Sequence, residues 1–96
     1  QSGGFSGYDY ASKQAEFNSK IDLRGMRAEE VIPLLSSWLD EAILLGIRDL
    51  QIVHGKGNGV LRQVTRDHLK NYKEVASVKD EHADRGGAGV TLVTLK

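Results

Sequence analysis

An α/β fold with a mainly parallel sheet is predicted by the order in which strand and helix patterns follow one another along this sequence. Short apolar stretches typical of strands alternate with two longer stretches of helical periodicity, in the order β-α-β-α-β-β. The 96 residues are 40% hydrophobic and 27% charged, as in ordinary globular proteins, and their number suits a single domain. The sequence has no cysteine, which excludes a disulfide framework and a thiolate metal site.

The first helix is predicted over Ala28–Leu45, where apolar residues recur every three or four positions. Glu29 and Glu30 suit the positive end of a helix, and Gly46 suits its left-handed stop. Pro33 lies inside this stretch and removes one backbone donor, so we expect a local bend there.

The other predicted elements are shorter. A second helix is expected from Val60 to about Tyr72, and its inward-facing residues are expected to be Leu61, Val64, Leu69 and Tyr72. The predicted strands are Ile21–Leu23 at the end of residues 17–23, then Leu50–His54, Val75–Val78 and Val90–Leu95. Residues 1–16 show no sustained period and are predicted to be a flexible leader or linker, so the domain is expected to cover residues 17–96.

Positive and negative charges are sorted along the chain, although they sum to zero. Residues 28–45 carry four acidic and no basic side chains, and residues 56–73 carry five basic side chains and one acidic. This predicts a polar field, although solvated helix faces have the same composition. No apolar run approaches the roughly 20 residues that span a bilayer, and a signal-peptide pattern is missing, so we expect a cytoplasmic protein without membrane contact.

The loop between the second strand and the second helix, residues 54–59, carries the clearest chemical signal. Alternate glycines let a ligand approach the backbone closely, and the free N–H groups of a helix start favour an anion. These features predict a phosphate-sized site, unless the glycines serve only a tight turn. Its candidate phosphate-binding residues are Gly55, Lys56, Gly57, Asn58 and Gly59, and His54 stands at the strand end.

Two familiar phosphate loops are excluded by single residues. A Walker A loop needs Ser or Thr after its Gly-Lys pair, and Gly57 occupies that position. A dinucleotide fingerprint needs a third glycine where this chain has Val60. An ATPase and a dehydrogenase are therefore both excluded by this loop.

Cations recur on the second predicted helix at every fourth position, namely Arg62, Arg66 and Lys70. A row of cations along an axis suits a polyanion backbone, although any solvated helix carries a charged outer face. Arg85, in a glycine-rich loop, is a further candidate contact to the same ligand. His68 is predicted to be a boundary residue of the helix and His82 to be exposed, and neither pairs into a zinc motif.

A second polar group stands where the first strand ends. Asp22 and Arg24 share one face of that strand, because alternate residues point the same way. The ends of neighbouring parallel strands meet at one sheet edge, so these two residues are expected to converge with His54 and Lys56. Such a set supports hydrolysis by acid–base and electrostatic groups, unless Asp22 merely pairs with Arg24.

Three segments together resemble the Smr (small MutS-related) domain family. They are residues 21–31 (Ile-Asp-Leu-Arg-Gly-Met-Arg-Ala-Glu-Glu-Val), residues 52–62 (Ile-Val-His-Gly-Lys-Gly-Asn-Gly-Val-Leu-Arg) and residues 86–95 (Gly-Gly-Ala-Gly-Val-Thr-Leu-Val-Thr-Leu). The Asp-Leu-Arg-Gly-Met form especially resembles the C-terminal domain of the second bacterial MutS paralogue. The resemblance covers about residues 17–96.

This resemblance implies a two-layer α/β sandwich like the C-terminal domain of translation initiation factor three. Its four-stranded mixed sheet has an antiparallel last strand and two packed helices. The resemblance also implies nicking of DNA, in repair or recombination control, or cleavage of RNA. The family's motif positions fall on Asp22 and Arg24 and on His54, Gly55, Lys56 and Gly57. The expected partners are DNA, including branched DNA, or RNA or the ribosome, together with an N-terminal MutS-like ATPase region.

One departure from the family pattern concerns catalysis. Many nucleolytic relatives carry Asp-Leu-His where this chain has Asp22-Leu-Arg24. The leading hypothesis is an endonuclease in which Asp22 orients a water, a base or a metal (Mg²⁺ or Mn²⁺) and His54 transfers protons. The rival hypothesis is a module that binds DNA, RNA or ribosome without chemistry. Small-molecule phosphate binding is disfavoured by the row of cations.

Overall fold

A computed structural model describes residues 12–57, 59–81 and 87–96 of the chain. The strands are β1 (Lys20–Asp22), β2 (Asp49–Val53), β3 (Val75–Asp80) and β4 (Val90–Leu95). The helices are α1 (residues 12–16), α2 (Ala28–Leu45) and α3 (Val60–Leu69), and one 3₁₀ turn spans Gly87–Gly89. No helix in these described ranges is both long and apolar enough to cross a membrane.

The predicted bounds of α2 are confirmed, because both of its ends are encoded locally. The Arg27 N–H donates to the Glu30 carboxylate at 2.9 Å, which satisfies one of the free donors at the helix start. Gly46 ends the helix with φ 73°, a left-handed conformation that suits glycine. Pro33 lies within the helix, which continues through it.

Four strands form one sheet in the order β1-β2-β4-β3. β1 pairs with β2 in parallel, and β4 runs antiparallel to both β2 and β3. Three strands therefore share one direction and the last is reversed, which confirms the mixed sheet with an antiparallel last strand. The expectation of a mainly parallel sheet holds for strand direction, but two of the three strand pairs are antiparallel.

The core lies between the sheet and the two longer helices. The fully buried positions of α2 recur along one stripe, and Leu50 and Ile52 of β2 pack with them on one sheet face. The other core members are Leu23, Leu69, Val93 and Leu95. Alternation along β1 and β2 places Asp22 and Val53 on the opposite, open face of the sheet.

Residues 12–16 correct part of the predicted flexible leader, because they are helical. The Gln14 side chain donates a hydrogen bond to the Leu45 carbonyl at the end of α2. Phe17 then stacks on Trp38, with 6.0 Å between the ring centroids. These contacts to α2 give the segment a fixed place that its polar composition did not predict. Residues 1–11 lie outside the described residues.

α3 ends at Leu69, three residues before the predicted end. The chain continues in tight turns, in which the N–H of Asn71 donates to His68 and that of Tyr72 to Leu69. Tyr72 still packs against the core, so the apolar periodicity identified an inward residue but not its helical state. His68 is half-buried and its Nε2 lies 3.0 Å from the Ser36 Oγ, which agrees with the predicted boundary role.

Candidate nucleic-acid site

The candidate site lies at the sheet edge where β1 and β2 end side by side. The N–H of Leu23 donates to the Val53 carbonyl at 2.6 Å, which extends the parallel ladder beyond β1. A Cβ atom at Gly55 would lie 3.3 Å from Cγ of Arg24, so the Arg24 stem rests on the backbone of the glycine loop. The predicted convergence of Arg24 with this loop is therefore present.

Asp22 and Arg24 form an exposed ion pair on the open face of the sheet. Arg24 donates from Nε at 3.0 Å and from Nη2 at 2.7 Å to the two oxygens of the Asp22 carboxylate. The Arg24 backbone N–H also donates to this carboxylate at 3.0 Å. These bonds, led by the side-chain bond, lower the pKa of Asp22 to about 2. The ion pair between Asp22 and Arg24, which the sequence left open as an alternative to a catalytic role for Asp22, is present in this structure.

The glycine loop presents unpaired backbone donors. Gly55, Gly57 and Gly59 all have positive φ, at 79°, 33° and 84°, which L side chains rarely adopt. Within the described part of the chain, the N–H groups of Lys56 and Gly57 donate to no acceptor. The exposed Lys56 adds a cation beside them. Unpaired amides next to a cation suit an anion.

Gly89, at the start of β4, closes the back of this loop. Its carbonyl accepts from the N–H of His54 at 3.0 Å and from the N–H of Gly55 at 2.9 Å. A Cβ atom at Gly89 would lie 3.3 Å from the Lys56 N and from the Gly55 C. Only glycine fits this approach without a shift of backbone. We call the set Arg24, Gly55, Lys56, Gly57 and Gly89 the strand-end cup.

His54 lies at the end of β2, but its ring points into the protein and the residue is only 4% exposed. Its Nε2 lies 2.7 Å from the Thr91 Oγ1, and its Nδ1 lies 3.1 Å from the Gly55 carbonyl. Both ring nitrogens are therefore engaged by the protein itself. The predicted proton transfer to a substrate needs an accessible nitrogen, and this arrangement favours a supporting role instead.

The basic row on α3 is largely neutralised, which the sequence did not predict. Arg62 donates to the Asp80 carboxylate at 3.0 and 3.1 Å, and Arg66 donates to it at 2.6 Å. The bond from Arg62 is the main cause that lowers the pKa of Asp80. Lys70 pairs with Asp67 at 3.5 Å. A carboxylate from β3 therefore lies between the two arginines, and the predicted contact of this row with nucleic acid stays a prediction.

Two predicted site residues, Asn58 and Arg85, lie outside the described residues, as does His82. Sequence reasoning missed Thr91 and Asp80, and it named Gly89 only as one of the loop glycines that could bring bare backbone to the ligand. The register pairs Thr91 with Asp80 across β4 and β3, on the face that the helices cover. A threonine at a core position of the apolar strand Val90–Leu95 was the one signal that pointed to a buried polar partner.

The fold is that of a small mixed α/β domain, and the strand-end cup brings two cationic side chains and the glycine loop to the carboxyl edge of its parallel strands. The sequence profile of the Smr domain family matches residues 21–96, and the chain belongs to this family. This confirms the resemblance of the three segments.

Relatives and solved structures agree with this assignment. The chain is 41% identical over 86% of its length to endonuclease MutS2 of Helicobacter pylori, and 49% over 81% to that of Clostridium botulinum. It spans 11% and 10% of these two relatives. The crystal structure of the Smr domain of Thermus thermophilus MutS2 matches with a TM-score of 0.75 and 42% identity, over 80% of this chain and 96% of that one.

A second solved structure shows the same fold at lower sequence identity. It is YdaL, a stand-alone small MutS-related protein from Escherichia coli, with a TM-score of 0.76 and 21% identity. The match covers 93% of this chain and 76% of that one. The two-layer sandwich with a four-stranded mixed sheet is therefore confirmed as the Smr fold.

Proposed function

We propose that this domain binds the sugar-phosphate backbone of nucleic acid at the strand-end cup and nicks DNA there. One observation carries the proposal: the Arg24 stem rests on Gly55, in the loop that also holds the exposed Lys56 and two amides without an acceptor among the described residues. Cations and amides are the groups that bind phosphate oxygens in nucleic-acid proteins. The name of the MutS2 relatives, endonuclease, supports the catalytic part.

Hydrolysis of a phosphodiester at the cup proceeds by attack of water on phosphorus. One P–O ester bond breaks, the attacking water loses a proton, and the departing sugar oxygen gains one. Negative charge on the non-bridging oxygens grows in the transition state. Lys56 and the amides of Lys56 and Gly57 stabilise that charge from the loop, and Arg24 joins them when it turns from Asp22 towards the phosphate.

Asp22 changes its chemistry when a phosphate arrives. Its pKa of about 2 makes the carboxylate a weak proton acceptor while Arg24 holds it. A phosphate competes for the same guanidinium, and a shift of Arg24 towards the phosphate removes the main cause of the low pKa. Asp22 then orients the attacking water and accepts its proton. His54 supports the loop from beneath, in place of the proton transfer that the sequence suggested.

A divalent metal was expected as an optional cofactor. The described residues contain no group of three or more His, Asp or Glu that are close enough together to hold one ion. At the cup, Asp22 is the carboxylate in reach among them, and Arg24 already engages it. The described side chains therefore do not fit a resident Mg²⁺ or Mn²⁺ site.

The test is a nicking assay with supercoiled plasmid, run beside a structured RNA, with Mg²⁺, with Mn²⁺ and with chelator. We expect the wild type to convert plasmid to open circles and Asp22→Ala to lose this activity. The matched control Asp40→Ala removes an exposed carboxylate of α2 away from the cup and should keep the wild-type rate. Equal rates for all three proteins would contradict the proposal and indicate a contaminating nuclease.

The second candidate function is a binding module without chemistry, for DNA, RNA or ribosome. The observation in its favour is that Arg24 occupies the Asp22 carboxylate and that the described histidines near the cup offer no free ring nitrogen. It predicts steeply salt-dependent binding with no nicking under any of the metal conditions above. Nicking that depends on Asp22 would exclude it.

The chain spans 10–11% of its MutS2 relatives, so the setting of the domain is also a proposal. We propose that it works joined to an N-terminal MutS-like ATPase region and acts on branched DNA in repair or recombination control. A comparison of nicking on linear and four-way-branched DNA of equal length tests the branched preference. Equal rates on both would contradict it.

A further inference from the structure

A buried chain of hydrogen bonds runs from β4 to the glycine loop. It begins at the Thr91 hydroxyl, passes through both nitrogens of the His54 ring and ends at the Gly55 carbonyl. Thr91 is fully buried and His54 is 4% exposed, so water does not replace the bond between them. A valine at position 91 would fill the same volume without burying a hydroxyl, so the polar residue there needs a reason.

The donors and acceptors in this chain are fixed by elimination. The Gly55 carbonyl only accepts, so the His54 Nδ1 carries the hydrogen between them. In a neutral ring the other nitrogen, Nε2, is then an acceptor, and the Thr91 hydroxyl donates to it at 2.7 Å. Thr91 therefore favours the Nδ1–H form of His54, which is the form that holds the loop carbonyl.

The same bond sets the direction of the next amide. The described part of the chain has no cis peptide bond, so the Gly55–Lys56 peptide is trans. In a trans peptide the C=O and the N–H point in opposite directions. The carbonyl points at the buried His54 ring, so the Lys56 N–H points away from that ring and donates to no described acceptor.

We propose that Thr91 is a positioning residue, whose hydroxyl fixes the Nδ1–H tautomer of His54 and thereby aims the Lys56 N–H at a phosphate oxygen. The hydroxyl touches no substrate and acts through the His54 ring and the Gly55–Lys56 peptide. The tautomer is a property of the free domain. The aiming of the amide at phosphate rests on the proposed function, and the two parts are measured separately.

The first measurement is the tautomer of His54 from long-range ¹H–¹⁵N spectra of the imidazole, taken where the ring is neutral. Wild type and Thr91→Ser should show hydrogen on Nδ1, because both keep the hydroxyl. Thr91→Val should show a mixture or the Nε2–H form. Thr94→Val, at a half-buried position on the other face of β4, is the matched control and should match the wild type. A wild-type Nε2–H form, or a Thr91→Val spectrum equal to the wild type, overturns the proposal.

The second measurement titrates inorganic phosphate and a short oligothymidylate while the amide signals of Lys56 and Gly57 are followed. We expect the Lys56 amide to shift in the wild type, in Thr91→Ser and in Thr94→Val. Thr91→Val should bind oligothymidylate and nick plasmid roughly tenfold less well, about the effect of one buried hydrogen bond. Equal affinity and rate in Thr91→Val overturn the positioning role.

The two failures are distinguishable. A Lys56 amide that phosphate does not move in the wild type overturns the aiming of that amide together with the proposed function. If the tautomer measurement still shows Nδ1–H in that case, the hydrogen bond between Thr91 and His54 has a structural role only. A domain that nicks plasmid while Thr91→Val behaves like wild type overturns the inference alone.

Discussion

Cγ of Arg24 lies so close to the backbone of Gly55 that a methyl group added to Gly55 would be 3.3 Å from this carbon. This contact joins the end of β1 to the loop after β2, two segments about thirty residues apart in sequence. It places the aliphatic stem of Arg24 against the glycine loop, while the guanidinium donates to Asp22. The proposed phosphate site therefore depends on a glycine for its shape as well as for its backbone conformation.

Alanine at Gly55 should impair both nucleic-acid binding and stability, whereas alanine at Gly25 should impair stability alone. Gly25→Ala is the matched control, because Gly25 has a similar φ of 82° and no neighbour within 4 Å of an added Cβ. Both variants should lose about 1 kcal/mol of unfolding free energy in urea, the cost of a left-handed alanine. Only Gly55→Ala should displace Arg24 and weaken oligonucleotide binding, roughly fivefold or more, about 1 kcal/mol of lost contact energy. Equal binding by the two variants would show that the Arg24 contact has no role in the site.

The pKa of Asp22 should respond to Arg24. The carboxyl signal of Asp22, followed by NMR, should titrate at about 2 in the wild type. Arg24→Gln should move the pKa up towards the ordinary value of 3.8, because the main hydrogen bond is lost. Arg48→Gln, at the start of β2 and far along the strand from the cup, should leave it in place.

The low pKa also fixes the sign of the effect on stability. A carboxylate whose pKa is lower in the folded state stabilises that state above pH 3.8, and this contribution is lost as the pH falls towards 2. Asp22 and Arg24 are half-exposed or more, so the contribution is small. A wild-type Asp22 that titrates near 3.8 would contradict the ion pair.

Removal of the Asp80 charge should make the domain less stable and raise its affinity for nucleic acid. Asp80→Asn frees Arg62 and Arg66, so we expect oligonucleotide affinity to rise several-fold. The slope of log affinity against log salt concentration should steepen by the equivalent of about one or two further phosphate contacts. The free energy of unfolding at pH 7 should fall by about 1 kcal/mol, as for an exposed charge network. This loss should disappear as the pH falls through the lowered pKa of Asp80.

Asp67→Asn is the matched control for this experiment. It removes the same charge from α3, where Asp67 contacts Lys70 and Gln63 instead of the two arginines. Its gain in affinity should be smaller than that of Asp80→Asn. Unchanged or weaker binding by Asp80→Asn would mean that Arg62 and Arg66 only fasten α3 to β3.

The sequence predicted those parts of the fold whose determinants are local. Helix α2 matches residue for residue, because its apolar stripe and Gly46 define it without tertiary help. β3 extends two residues beyond its predicted end, to Asp80, because pairing with β4 continues there. The reversed direction of β4 was implied by the family resemblance, since an apolar strand has no pattern that distinguishes the two directions.

The site was predictable to the extent that neighbouring strand ends meet at one edge. That rule brought Arg24 to the loop, as the structure confirms. It does not show which way a side chain leaves the strand, and alternation sends His54 inward to Thr91. Partners that arrive from β3 and β4 require a register, which the sequence alone does not provide. For this reason Asp80 and Thr91 were missed.

The strand-end cup is tested most directly by plasmid nicking with Arg24→Gln and Lys56→Gln beside their charge-matched controls Arg48→Gln and Lys73→Gln. Each variant removes one exposed cation, and the first two lie at the cup while the two controls lie away from it. We predict that each cup variant loses at least tenfold in rate, about 1.4 kcal/mol of transition-state stabilisation, while the controls stay within twofold of wild type. Equal losses in cup and control variants would show that only overall charge matters and would contradict a phosphate site at the ends of β1 and β2.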